Sequence, residues 1–105
     1  MNKIFVAGPY NHPDEIIKSE RLLNIKKYCV KVFNEGDAPI SALLMGLSIS
    51  DIGGLPTDTE TWREFSKKMV KGCDEMHVLS GWEESGGVKA EIEEALRIGI
   101  IVKYI

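Results

Sequence analysis

The chain has 105 residues, of which 44% are hydrophobic and 28% charged, and a formal net charge of -3. That length and composition suit one globular domain, residues 1–105, with one modest core. The acidic balance argues against a nucleic-acid partner, and no apolar run is long enough for a membrane to be one.

The opening "MNKIFVAGPY" lacks the long apolar region of a signal peptide and reads as a first strand, Lys3–Gly8, ended by Gly8-Pro9. A helix follows from Pro13 to about Glu35. Leu22, Ile25, Cys29, Val32 and Phe33 fall on one face of it, Asp14 and Glu15 suit its first turn, and Gly36 its end. "APIS" (Ala38–Ser41) reads as a short second strand. Ala42–Asp58 is apolar, holds three Gly and one Pro, and has no clean period. It reads as a lid or binding loop, or as a segment hiding a short helix. A further helix is expected over Thr57–Lys71, a third strand over Glu75–Trp82, a helix carrying Glu91, and a fourth strand over Gly99–Ile105. The alternation implies a Rossmann-like (flavodoxin-like) α/β domain. Its parallel sheet of four to five strands, in the order 2-1-3-4(-5), has helices on both faces. Cys29 and Cys73 are far apart without CxxC spacing, and read as buried free thiols in a reducing cytoplasm. His12 and His77 are isolated, so no metal is expected.

In such a sheet the binding crevice lies beyond the carboxyl ends of the strands. "GPYNHPD" after the first strand and "SGWEESGG" after the third occupy such ends, and both lead into helix N-termini that suit an anion. Neither is a Walker loop or a GxGxxG turn, and no cofactor is expected. Their glycines are equally compatible with simple tight turns. At 100° per residue, Val88, Ile92, Ala95, Leu96 and Ile98 define an apolar arc on the Glu91 helix. Glu91 falls inside that arc, in or next to the first turn, while Glu93 and Glu94 fall outside it. A carboxylate there costs desolvation energy unless it has a task; the bland alternative is a first-turn Glu serving the helix dipole. Tyr10, Trp62 and Trp82 could stack on a planar base or simply pack. Asp51, Asp58, Glu60 and Glu64 read as solvated.

The motifs "FVAGPYNHPD", "GLPTDTETW" and "CDEMHVLSGWEESGGVKAEIEEALRIGIIVKYI" together resemble the nucleoside 2-deoxyribosyltransferase-like superfamily over nearly the whole chain. The resemblance implies that Glu91 is a nucleophile toward C1′ of a nucleoside sugar. The element Ser85-x-Gly87-Val88-x-x-Glu91 is similar to the hydrolases that cleave nucleoside 5′-monophosphates, which implies Ser85 and Gly87 as phosphate ligands. Gly8, Pro9, Tyr10 and Asn11 would line the pocket, with Trp82 and Ser66 beside it. A homodimer or larger homo-oligomer is implied as well. The chain departs from the superfamily at Ser66, where an Asp is common. A hydroxyl cannot act there as a carboxylic acid at neutral pH. Phe5 stands nearest to the aromatic expected beside the nucleophile, and "PISALLMG" lacks the histidines of the nearest branch. Two functional readings follow. One is an N-glycosidase or deoxyribosyltransferase acting on a nucleotide; the other is a nucleotide-binding protein that has lost the chemistry. A purely structural module would explain neither Glu91 nor the two turn loops.

Overall fold

A computed structural model describes all residues, 1–105. Strands β1 (Lys3–Ala7), β2 (Ala38–Ile40), β3 (Glu75–Val78) and β4 (Ile101–Tyr104) form one parallel sheet in the order β2-β1-β3-β4. Helices α1 (Glu15–Asn34), α2 (Ala42–Ser50), α3 (Thr59–Val70) and α4 (Gly86–Ile98) complete the domain. Fold class and strand order are those expected from the sequence.

Alternation along β1 decides the layers. Ile4 and Val6 face α1 and are buried with Ile25 and Val32. Phe5 and Ala7 face the other way, into a larger cluster with Met76, Val78, Val70, Val88, Ile92 and Ala95 from β3, α3 and α4. Successive strand side chains point to opposite faces, so a five-residue strand serves two cores.

Each helix starts where a short polar side chain takes up a free amide. The amides of Ile16, Leu44, Thr61 and Val88 donate to Asp14, Ser41, Asp58 and Ser85 respectively. Asp58 is thus a helix cap, and its hydrogen bonds from Thr61 hold its carboxyl below the usual range.

The structure corrects several details. Residues 42–50, expected as loop or as an unplaced helix, form α2, leaving only residues 51–58 irregular. The period was invisible because six of its nine residues are apolar and occupy nearly every side. Gly46 lets the Trp62 ring come close: a Cβ there would sit 3.0 Å from it. Strand β3 ends at Val78, not Trp82. Gly81 adopts φ 90°, a left-handed conformation that suits glycine, and Trp82–Glu84 forms a 3-10 turn. Phe33, expected on the inner face of α1, is 66% exposed. It stands about 100° round the helix from Val32, which takes the core direction. Cys73 is buried, whereas Cys29 is only half-buried.

Candidate functional site

Ser85 is the residue on which the site is built. Its hydroxyl caps α4 by accepting from the Val88 amide at 3.2 Å. The amides of Gly86 and Gly87 open the helix and have no carbonyl one turn earlier within it. They therefore present free donors and the positive end of the dipole.

A cation completes this corner, and the sequence reading missed it. The Arg63 guanidinium of α3 lies so close that a Cβ on Gly86 would be 2.7 Å from its Nη2. Arg63 is in none of the ion pairs of the molecule. One signal was available: Arg63 precedes Ser66 by three residues, so both lie on one face of α3.

Glu91 sits in the second turn of α4, next to the first, which is one of the two placements expected from the sequence. The residue is half-buried, and its carboxyl lies near enough to the Ser66 hydroxyl of α3 for that hydroxyl to favour the anion. Burial pushes its pKa from 4.5 up to about 7, while the Ser66 hydroxyl acts in the opposite direction by favouring the anion. Glu93 is exposed, and Glu94 is held below the usual range by the hydrogen bonds of Arg97, at 2.8 and 2.7 Å.

The loop after β1 forms a second group. Gly8 packs so tightly that a Cβ would lie 2.8 Å from Ile25 and 3.1 Å from Leu79. Pro9 is buried with its ring against Gly81, which joins the β1 and β3 loops. The Lys18 ammonium lies 5.2 Å over the Tyr10 ring. Arg21 holds the loop, donating to the Asn11 carbonyl at 2.9 Å and to Glu84 at 2.7 Å.

Trp82 is committed elsewhere. It packs against the core and against Tyr104, with ring centroids 5.2 Å apart. Trp62 likewise packs on Phe65 and donates to the Pro56 carbonyl at 2.7 Å, pinning the 51–58 loop. A cleft of about 310 Å³ opens on the α1 side, lined by Arg21, Tyr28, Lys31 and Ser80 among others. It shares only Pro9 with the expected site and does not include Glu91. The Glu91 corner is the better candidate, because the cleft lining holds no side-chain carboxylate and its perturbed acid is the Tyr28 phenol, pushed up by burial.

A model of the family described as domain of unknown function 1937 (DUF1937) matches residues 2–105. The chain belongs to the DUF1937 family. Among solved structures, it is similar to the Clostridium botulinum CMP N-glycosidase BcmB, with a TM-score of 0.66 and 16% identity. The match covers 97% of this chain and 69% of that one. No curated protein sequence matches. The likeness to the nucleoside 2-deoxyribosyltransferase-like superfamily is thus borne out at the level of fold. No helix of this DUF1937 protein is long and apolar enough to cross a membrane.

Proposed function

We propose that this protein is an N-glycosidase acting on a (deoxy)nucleoside 5′-monophosphate, with Glu91 as nucleophile. The observation that carries the reading is the buried Glu91 carboxyl, its pKa near 7, on the helix whose first turn meets Arg63. A buried acid with no salt-bridge partner destabilises the fold, so its retention beside an anion-binding corner favours a chemical role. Ser85 and Glu91 lie six residues apart, about 9 Å along the helix axis. A sugar 5′-phosphate can span that separation, with its phosphate at the helix start and C1′ at the carboxylate.

In this reading Arg63, the Ser85 hydroxyl and the Gly86 and Gly87 amides bind phosphate. Tyr10, Asn11 and Pro9 border the base. The Glu91 carboxylate attacks C1′ and forms a glycosyl ester. The C1′–N bond breaks, and its electron pair leaves with the base, which takes up a proton. Water then attacks C1′, loses a proton, and releases Glu91 and the sugar 5′-phosphate with net retention. Transfer to a second base differs only in this last acceptor. Ser66 acts as an orienting donor that favours the Glu91 anion. The protein works in the cytoplasm as a homo-oligomer.

Ser66 also supports a second reading, a nucleotide-binding protein without turnover. A hydroxyl cannot give a proton to the departing base as a carboxylic acid can. Incubation with a panel of ribo- and deoxyribonucleoside monophosphates, with free base measured by chromatography, separates the two. Base released from at least one monophosphate and lost in Glu91→Gln supports the enzyme. Calorimetric binding without base release leaves the second reading, and no binding at all removes both.

A further inference from the structure

Helix α1 carries apolar side chains on two opposite faces. Ile25 and Val32 face the sheet and are buried. Ile16, Leu23 and Val30 are 70%, 50% and 59% exposed and lie seven residues apart. At 100° per residue this row stays within about 40° of arc, on the side of the helix opposite Ile25. Phe33, 66% exposed, extends it at one end. Single exposed apolar residues are normal, but an aligned row on a helix already anchored by its other face is a contact surface.

We infer that α1 is the interface between two copies of this chain, packed antiparallel about a two-fold axis at Leu23. The row is self-complementary about that point. Leu23 meets Leu23, and Ile16 meets Val30 of the other copy, because both lie seven residues from the centre. An isologous interface requires this kind of symmetry; a different partner does not. The charges agree with the same arrangement. On the flanks, Glu20 falls beside Lys27 of the second copy, because both stand on the same side of the row and at nearly the same distance from Leu23. A parallel pair would instead set Lys26 beside Lys27 of the second copy. Exposed pairs of this kind choose orientation more than they add affinity. The inference deepens only the homo-oligomer part of the proposed function.

Sedimentation from about 5 to 500 µM should show the mass rising from 11.7 kDa toward twice that value. Leu23→Glu, an exposed change that should keep the circular dichroism spectrum, remains monomeric throughout. Glu20→Lys weakens association several-fold, and adding Lys27→Glu restores it. In a Cys29→Ser background, mild oxidation links Leu23→Cys to its copy. It does not link Ile16→Cys, because the two residues 16 would be about 21 Å apart along the axis. A wild type that is monomeric over the whole range overturns the inference. So does a dimer that persists in Leu23→Glu, which would place the partner copy on another face, or self-linking of Ile16→Cys, which would make the pair parallel. A monomer that still releases base sinks this inference alone, and a dimer that never releases base sinks the proposed function alone.

Discussion

Replacing Glu91 by Gln should stabilise the protein at pH 8 while removing the proposed chemistry. The magnitude follows from the shift of its carboxyl from 4.5 to about 7. At about 1.4 kcal/mol per pH unit, that shift corresponds to about 3 kcal/mol of unfavourable burial for the anion. The sign is set by proton binding. Below about pH 4.5 Glu91 is protonated in both the folded and the unfolded chain, and nothing is lost. Between about pH 4.5 and 7 the folded protein keeps a proton that the unfolded chain releases, so wild-type stability falls as pH rises. Above about pH 7 the loss is complete. The amide introduced by Glu91→Gln would carry no such proton, retain a similar shape, and still face Ser66. Other groups titrate alike in the two proteins, so their difference isolates this carboxyl. Urea unfolding of both proteins at intervals from pH 4 to pH 8 should show the gap moving by about 3 kcal/mol in favour of the variant. A gap that stays flat over that range would mean that the carboxyl is solvated, and the argument for a tuned acid would fail. A variant both more stable and inactive is the pattern expected where function holds a residue in an unfavourable place.

Ser66→Ala removes a hydroxyl that favours the anion, so the rising limb of base release against pH should move to higher pH. An unmoved limb would show that Ser66 does not support the ionised Glu91. Arg63→Gln should weaken monophosphate binding by about 2 kcal/mol, roughly thirtyfold, and leave nucleoside binding unchanged; calorimetry with both ligands checks this, and equal losses would detach Arg63 from phosphate. Ser85→Asp keeps a good N-cap but sets an anion against phosphate, an effect of about 4 kcal/mol at 4 Å and an effective dielectric near 20. It should therefore impair monophosphate binding far more than Ser85→Ala, whose main loss is about 1 kcal/mol of helix capping. If Ala and Asp weaken binding equally, Ser85 does not contact phosphate.

Local signals were enough to read most of this protein from its sequence. The periods of α1, α3 and α4, the apolar run of β1 and the acidic first turn at Asp14 and Glu15 each act within a turn or two of chain. The alternation of strands and helices then restricts the topology to a few choices, of which the order β2-β1-β3-β4 is one. Glu91 was legible because its direction on α4 depends only on helical geometry. Helix α2 was not, since a helix apolar on nearly every side has no period to detect. What remained for the tertiary structure were contacts between distant residues. Trp82 is taken up by Tyr104, so its ring packs the start of the 3-10 turn instead of standing free to stack on a base. Arg63 reaches Gly86 from another helix. Ser66, a departure from the superfamily pattern when read alone, meets the Glu91 carboxyl only when α3 packs on α4. Burial, which sets the proton affinity of that carboxyl, depends on the same packing: the water around a side chain is removed by every neighbour that folding brings to it, and chain order specifies few of them.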